Sequence, residues 1–354
     1  MTLKPASLRG RGASRNPANR FETISYVPTP EYAEPGADPA GPRTTFLKDD
    51  TRSIVTVNES PDVGFGASIN PYRGCEHGCA YCYARPYHEY LGFSAGLDFE
   101  TKILVKVRAP ELLRKKLDSR LWTPRPVAMS GVTDPYQPIE RQLKITRACI
   151  AVLAEYRNPV SIVTKNHLIA RDIDLLSELA LSNAAAVMFS FSTLNSDLSR
   201  VLEPRTSTPS LRLEAIRTLS SSGIPVGVFV APVIPGLTDH EVPWIVESAA
   251  RAGAGFALCH LVRLPHGVAA LFEEWLETHA PDSKKKVLNR IRETRGGRLN
   301  DTRFSTRFRG TGEFADQIAG LFEMTCRRVG LDTECPELST VAFRRPPRGQ
   351  LPLL

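Results

Sequence analysis

Six short β-rich runs, separated by stretches of helical period, constrain the fold of this chain more than any other feature. Each run is followed by turn residues and then by a candidate helix, a pattern typical of repeated βα units around a parallel sheet. Such units form an open doubly wound sheet or a barrel-like one. In both, the catalytic and binding residues lie at the carboxyl ends of the strands. The runs are residues 68–72, 127–131, 160–164, 187–192, 226–231 and 256–262.

Helical period between the runs predicts helices that cover the sheet. After the second run, Leu143, Ile150, Leu153 and Ala154 share one face, and we expect that face to pack on the sheet. Three more helical stretches follow the last run, at residues 268–279, 283–293 and 313–329. The sequence therefore predicts an α/β fold with a helical C-terminal extension.

The first 60 residues differ in composition from the rest of the chain. They show hardly any periodic apolar pattern and carry Arg9, Arg11, Arg15 and Arg20. We expect an extended, partly disordered N-terminal arm, either a solvated tail or an arm that binds nucleic acid. The remaining boundaries that we predict are a core domain at 61–280 and a helical extension with a tail at 281–354.

Charge and hydropathy narrow the classes of partner. The formal net charge is +7, which favours anionic partners. No apolar run reaches the roughly 18 residues that a membrane span requires, so we expect no membrane partner. Because the N-terminus has no uninterrupted apolar stretch of the secretory type, we expect a cytoplasmic, reducing location.

Seven cysteines form a poor disulfide framework, and three of them fall within eight residues. That clustering indicates a metal site.

The three clustered cysteines follow the first run, in the stretch NPYRGCEHGCAYCYAR at residues 70–85. Cys75, Cys79 and Cys82 have the spacing C-x3-C-x2-C, and flanking glycines let the backbone curl around the sulfurs. Three thiolates from one loop can hold three irons of a [4Fe-4S] cluster. With no fourth cysteine nearby, the fourth iron would be left open to a ligand that is not protein.

Two different roles for these cysteines also remain open. A structural zinc site could combine them with His77 or His88, and the chain would then be a non-catalytic, zinc-stabilised nucleic-acid-binding protein. The usual zinc sites, however, pair close ligands with a second, more distant pair. Alternatively, the three cysteines are ordinary buried residues of the hydrophobic core without a metal, although three within eight residues are unusual in that role.

The spacing C-x3-C-x-aromatic-C, with Tyr81 as the aromatic residue, resembles the cluster motif of the radical S-adenosylmethionine (radical SAM) enzymes. The sequence segments at residues 68–92, 133–146, 163–175 and 230–239 resemble those of the spore photoproduct lyase-like, DNA repair photolyase-related branch. This resemblance implies an incomplete TIM-like (β/α)6 barrel with a helical C-terminal extension. It also implies that Cys75, Cys79 and Cys82 ligate a [4Fe-4S] cluster.

The resemblance further implies the chemistry. S-adenosylmethionine would chelate the open iron and be cleaved reductively to a 5′-deoxyadenosyl radical, which abstracts hydrogen from a substrate. An electron donor such as flavodoxin or ferredoxin would be a partner. In the family, Tyr81 would flank the adenine, Thr133 and Asp134 would contact the methionyl amino group, and Lys165 would meet the methionyl carboxylate.

Four more residues are implied further along the chain. Ser190 and Ser192 share one face of the fourth strand, where they suit the ribose hydroxyls. Arg205 could pair with the cofactor carboxylate or with Glu203. Gly236 corresponds to the glycine region that supports adenine, and a turn glycine explains it nearly as well.

The chain departs from spore photoproduct lyases in one respect. Those enzymes have a hydrogen-donating cysteine on the second strand, and residues 128–134 of this chain contain none. Tyr81 and Tyr83 match tyrosines near the radical path and could relay an electron or hydrogen, so they are the catalytic candidates.

The substrate is predicted less directly. Residues 290–309 interleave arginines with Phe304 and Phe308, which suits phosphate groups and unstacked bases, or equally a solvated linker anchored by its aromatic side chains. A nucleic acid is therefore one candidate for the substrate.

Overall fold

A computed structural model describes residues 8–22 and 43–346 of the chain. The described residues form two sheets, a large one at the centre of the fold and a small one beside it. The strands are β1 (Thr45–Lys48), β2 (Val55–Val57), β3 (Ala67–Ile69), β4 (Tyr72–Arg73), β5 (Lys102–Val105), β6 (Val127–Met129), β7 (Val160–Thr164), β8 (Ala185–Phe191), β9 (Val226–Val233) and β10 (Phe256–Leu261).

The large sheet has the order β10-β9-β8-β7-β6-β3-β2. From β3 to β10 each neighbouring pair is parallel, and β2 joins the edge of the sheet antiparallel to β3. Each of the six predicted runs overlaps one of the parallel strands, so the prediction of an α/β fold with a parallel sheet is confirmed. The small sheet has the order β1-β5-β4.

Helices connect the parallel strands and cover the sheet. They are α1 (Leu97–Thr101), α2 (Ala109–Asp118), α3 (Glu140–Leu143), α4 (Ile145–Tyr156), α5 (Ile173–Ala180), α6 (Ser196–Leu202), α7 (Pro209–Ser221), α8 (Val242–Arg251), α9 (Val268–His279), α10 (Pro281–Glu293), α11 (Thr306–Arg309) and α12 (Glu313–Val329). Short 3₁₀ helices occupy Arg85–Leu91, His167–Asp172 and Asp239–Glu241. In the part of the chain that the structure describes, no helix is long and apolar enough to cross a membrane.

Burial follows position in the sheet. All seven residues of the inner strand β8 are buried, because both of its faces are covered. The predicted face of α4 is buried at Ile150, Leu153 and Ala154. The inclusion of Leu143 in that face was wrong: the side chain is 41% exposed. Lys144 interrupts the helix with a φ of +54°, so Leu143 ends a separate short helix and points away from the α4 face.

The N-terminal arm is described in two pieces. Residues 8–22 have no helix or strand and lie against the loop that carries the clustered cysteines. Residues 45–48 and 55–57 add the edge strands β1 and β2. The rest of the arm, residues 1–7 and 23–42, and the end of the tail from residue 347 lie outside the described residues. The predicted domain boundaries remain predictions.

Candidate active site

The three clustered cysteines lie in one loop between β4 and the 3₁₀ helix Arg85–Leu91. Cys75 and Cys79 are each 7% exposed, Cys82 is partly buried, and all three are free thiols. The loop turns sharply at Gly74 and Gly78, whose φ angles are +78° and +64°. A Cβ at position 78 would lie 2.6 Å from Glu100 Oε2, so the second turn also needs glycine for close packing.

The donor set fits an iron–sulfur cluster with one open iron. Burial raises the pKa of all three thiols above the ordinary value for cysteine, so each is protonated until a metal displaces its proton. Three thiols from one loop supply the soft ligands that iron–sulfur clusters use. Among the described residues, no three His, Cys, Asp or Glu side chains surround a single point as the ligands of one metal ion do.

A buried ion pair holds the cysteine loop in shape. The Arg85 side chain, fully buried, donates to the carbonyl of Cys79 at 2.9 and 3.1 Å and to that of Gly78 at 3.3 Å. It also donates to Glu100 Oε1 at 2.5 Å. Because the guanidinium fork reaches several acceptors at once, one side chain fixes the backbone between the first and third cysteines.

The N-terminal segment 8–22 closes over the same loop. The backbone amides of Gly12 and Ala13 donate to the two oxygens of Glu100 at 3.0 and 2.8 Å. Backbones approach so closely here that a Cβ on Gly12 would lie 1.7 Å from the carbonyl oxygen of Gly78. Residues 8–22 are therefore a wall of the cysteine site.

A polar network lies at the carboxyl ends of β7, β8 and β9, next to the cysteine loop. Lys165 Nζ donates to Ser190 Oγ and to Glu203 Oε1, each at 2.9 Å. The Tyr81 hydroxyl donates to the same Glu203 oxygen and lies 2.9 Å from Ser192 Oγ. The structure thus brings together four of the predicted cofactor residues, Tyr81, Lys165, Ser190 and Ser192, around one carboxylate.

Glu203 and Arg212 are the residues of this network that sequence reasoning missed. Arg212 is fully buried and donates to Glu203 Oε2 at 2.6 Å. Although burial opposes ionisation, Lys165 and Arg212 hold the pKa of Glu203 well below its ordinary value. In the sequence Glu203 stands out only as a neighbour of Arg205, and Arg212 occupies a helical position with no sequence signal of its own.

Asp134 links the ends of β6 and β7. It accepts from Thr164 Oγ1 and from the amide of Lys165, both at 2.7 Å, and His77 Nδ1 lies 3.3 Å from its Oδ2. Burial opposes its ionisation, but His77 and these hydrogen bonds lower the pKa of Asp134. Thr133, its predicted companion, is buried beside it and lies 3.4 Å from the Tyr72 carbonyl.

The remaining predicted residues lie at the margins of the network. Tyr83 is 40% exposed, and its hydroxyl donates to the Gly131 carbonyl at 2.8 Å. Arg205 pairs with Glu76 at 3.3 Å rather than with Glu203. Gly236, with a φ of +83°, packs against α10, and its nearest neighbours are Arg290, Lys286 and Val287.

Comparison with known proteins agrees with this arrangement. The sequence model of the radical SAM superfamily matches residues 69–249, which contain the cysteine loop and most of the network. An uncharacterized protein of Mycobacterium tuberculosis is 36% identical over 242 residues, which cover 67% of this chain and 70% of that protein. The radical SAM Nalpha-GlyT isomerase of Pseudomonas phage M6 is 27% identical over 231 residues, covering 64% of this chain and 46% of that protein.

The fold also matches solved structures. Spore photoproduct lyase complexed with dinucleoside spore photoproduct superposes with a TM-score of 0.58 at 16% identity, covering 81% of each chain. At that identity the likeness is one of fold. The superfamily match, by contrast, spans more than half of the chain and includes all three cysteines at the motif spacing. The chain therefore belongs to the radical SAM superfamily of enzymes.

Proposed function

We propose that this chain reductively cleaves S-adenosylmethionine at a [4Fe-4S] cluster and abstracts hydrogen from a nucleic-acid substrate. One observation carries the proposal: three free thiols in a single loop lie beside a buried network that contains a lysine, a carboxylate and two serines. When bound, the cluster and S-adenosylmethionine supply a 5′-deoxyadenosyl radical. The roles of individual residues below are part of the proposal.

The cysteine loop would hold the cluster. Cys75, Cys79 and Cys82 would each give up a proton and ligate one iron, and the loop glycines turn the backbone around them. Arg85, held by Glu100, donates hydrogen bonds to the carbonyls of Gly78 and Cys79. The protein thereby holds the loop in shape before any metal arrives.

The network would bind the cofactor. Lys165 suits the methionyl carboxylate, and Asp134, whose carboxylate is ionised, suits the methionyl ammonium with Thr133 beside it. Ser190 and Ser192 suit the ribose hydroxyls, and Tyr81 would flank the adenine.

The assignments at the margin are separate. Arg205 and Gly236 remain candidates for the cofactor carboxylate and for adenine support. Tyr83 lies directly after the third thiol and Tyr81 directly before it. These two phenols are the groups that we propose to relay an electron or a hydrogen atom to the substrate radical, in place of the absent cysteine donor.

Four further features belong to the proposal. The parallel sheet would curl into an incomplete (β/α)6 barrel with the site at its mouth, which the likeness to spore photoproduct lyase supports. The dinucleoside in that structure supports a nucleic-acid substrate. Reductive cleavage needs an electron donor of the flavodoxin or ferredoxin kind. Such a donor and three free thiols suit the reducing cytoplasm.

Anaerobic reconstitution with iron and sulfide tests the cluster. We expect about four irons per chain in the wild type. Cys79→Ala should lose most of that iron, whereas Cys326→Ala, which removes a buried thiol in α12, should retain it. With dithionite and S-adenosylmethionine, only the two iron-loaded proteins should form 5′-deoxyadenosine. Tightly bound zinc without a cluster, or equal iron in all three proteins, would overturn the proposal.

The substrate class has its own test. Deuterated DNA and RNA are offered to the reconstituted enzyme, and deuterium is sought in 5′-deoxyadenosine by mass spectrometry. Transfer from a nucleic acid supports the proposed class. Transfer from a peptide or a small molecule, with none from nucleic acid, would replace that class and leave the cofactor chemistry standing.

A further inference from the structure

Exposed aromatic side chains line the outer surface beside the cysteine loop. Tyr83, Tyr87 and Tyr90 are 40%, 53% and 68% exposed, and the last two belong to the 3₁₀ helix Arg85–Leu91. The ring of Tyr90 lies 6.5 Å from that of Tyr87 and stacks on Phe21 at 4.8 Å. Large exposed rings that neighbour one another are unusual on a surface without a partner.

An arginine, Arg263, lies beside Tyr83, and Asp62, the carboxylate whose charge acts on it, is paired with Arg307. The guanidinium carbon of Arg263 is 4.5 Å from the ring centroid of Tyr83 and 5.4 Å from that of Phe308. Within residues 8–22 and 43–346, the Arg263 side chain has these ring contacts but no hydrogen bond or ion pair. Because a guanidinium keeps its charge at any physiological pH, this site favours an anion.

The row has an arginine at each end. Arg307 lies over the rings of Phe304 and Phe308, at 5.0 and 4.7 Å, and is paired with Asp62. At the other end, Arg20 lies 4.9 Å from the ring centroid of Phe21 and is paired with Glu89. We define the aromatic stripe as Phe308, Tyr83, Tyr87, Tyr90 and Phe21.

A cleft of about 360 Å³ opens between the stripe and the body of the protein. Tyr87 and Tyr90 form one wall, and the lining also includes Lys106 and Arg73, the latter paired with Asp49 at 2.8 Å. The cleft reaches Gly74 and Thr133, so it runs from the stripe to the back of the cysteine loop. The stripe therefore borders the site instead of lying on a remote surface.

We infer that the aromatic stripe binds a single-stranded nucleic acid, with bases stacked on the tyrosines and a phosphate on Arg263. The inference rests on the proposed function and names the path along which its substrate reaches the site. The neighbouring rings offer stacking surfaces, and Arg263 places one cation between Phe308 and Tyr83, which suits a strand that carries both bases and phosphates. A duplex hides the faces of its bases, and an acidic peptide has no flat groups to stack, so a single strand fits best.

The aromatic stripe reaches the cysteine loop at Tyr83. Tyr83 directly follows Cys82 in the chain, and its hydroxyl is anchored to the Gly131 carbonyl at the end of β6. A base on Tyr83 would therefore lie beside the cysteine loop, while flanking nucleotides stack on Tyr87 and Tyr90. The net charge of +7 favours such a strand over the whole surface.

Fluorescence anisotropy tests the inference. A labelled single-stranded DNA of about twelve nucleotides, long enough for several stacked bases, is titrated with the reconstituted protein at several salt concentrations. The double variant Tyr87→Ala/Tyr90→Ala should weaken binding about tenfold or more, because two stacking surfaces are lost. Tyr87→Phe/Tyr90→Phe keeps the rings and should bind like the wild type.

Arg263→Gln should lower the slope of log Kd against log salt concentration by about one, because one phosphate contact is lost. Matched controls lie on α8: Trp244→Ala removes a ring that is 55% exposed, and Arg251→Gln removes an exposed arginine. Both controls should leave Kd unchanged. Equal weakening by the controls, or binding of an acidic peptide as tight as that of the oligonucleotide, would overturn the inference.

The same protein preparations separate this inference from the proposed function. If 5′-deoxyadenosine forms but the stripe variants bind the oligonucleotide like the wild type, only the inference about the aromatic stripe is overturned. Stripe-dependent binding without a cluster or 5′-deoxyadenosine supports the stripe and overturns the proposed cofactor chemistry.

Discussion

Lys165 Nζ lies 2.9 Å from Oε1 of Glu203, and the other oxygen of that carboxylate accepts from Arg212 at 2.6 Å. One buried carboxylate thus holds two cations, and it also accepts hydrogen bonds from Tyr81 and Ser192. Lys165 is the residue that the family resemblance assigns to the methionyl carboxylate. Its position is therefore set by Glu203, a residue that sits outside the family motif.

Glu203→Gln should destabilise the fold and weaken cofactor binding. The substitution leaves Arg212 fully buried without its carboxylate, and removing one partner of a buried ion pair costs about 3–5 kcal/mol. Urea unfolding measures the loss, and equilibrium dialysis measures the affinity for S-adenosylmethionine. Arg200→Gln, which breaks an exposed ion pair with Asp197 on α6, should cost less than about 1 kcal/mol. Similar costs for the two variants would contradict the ion-pair argument.

Gly12→Ala should detach the N-terminal segment from the cysteine loop. A methyl group there would lie 1.7 Å from the Gly78 carbonyl oxygen, and both partners in the clash are backbone. We expect faster proteolysis within residues 8–22 and lower iron content after reconstitution.

Gly320→Ala is the matched control for that substitution. Gly320 lies in the exposed middle of α12 with no atom within 4 Å of its missing Cβ. Alanine is the better helix former, so this variant should be more stable by about 0.5–1 kcal/mol. Unchanged protease sensitivity and full iron content in Gly12→Ala would show that the segment is not part of the cluster site.

Arg85→Lys should impair the loading of the cluster while keeping the charge. Lysine cannot reproduce the fork that reaches the carbonyls of Gly78 and Cys79 together with Glu100. We expect fewer irons per chain and faster loss of the cluster's visible absorbance in air. Arg114→Lys, at an exposed pair with Glu155, is the control and should match the wild type. A cluster in Arg85→Lys that is as stable as in the wild type would contradict the role of the fork.

Stability should fall at mildly acid pH, in part through His260. Burial lowers its pKa to about 4, whereas an unfolded histidine titrates near 6.5. Between these values the unfolded chain binds a proton that the folded protein does not, so folding loses up to about 3 kcal/mol from this residue as pH falls from about 6.5 to about 4. The charged groups that act on it are Arg263, Arg295, Arg307 and Asp62.

His260→Phe isolates this contribution. Phenylalanine can keep the stack on Phe308, which lies 4.4 Å from the His260 ring in the wild type. Urea unfolding at about pH 7 and about pH 5, both at the same ionic strength, gives the pH dependence of each protein. The variant should lose less stability than the wild type over this interval. An identical loss in both proteins would exclude His260 as a source.

Much of the fold was predictable because parallel strands that are buried on both faces have short, nearly continuous apolar sequences. All six predicted runs overlap parallel strands, and the stretch predicted at 268–279 is α9. The error at Leu143 came from a single residue, Lys144, that adopts a left-handed conformation and divides one predicted helix into two. Periodicity cannot detect such a break, since lysine is an ordinary helix former.

The sequence by itself determined the cysteine spacing, the family and the succession of βα units that puts Lys165 and Ser190 at the ends of strands. These are local patterns, and the parallel topology turns strand ends into neighbours. Only the tertiary structure decided that Glu203 joins Lys165 to Arg212, and that Glu100 ties residues 8–22 to the cysteine loop. The aromatic stripe likewise unites residues from both ends of the chain. Such contacts depend on which distant side chains share a buried or exposed surface, and no periodic pattern encodes that.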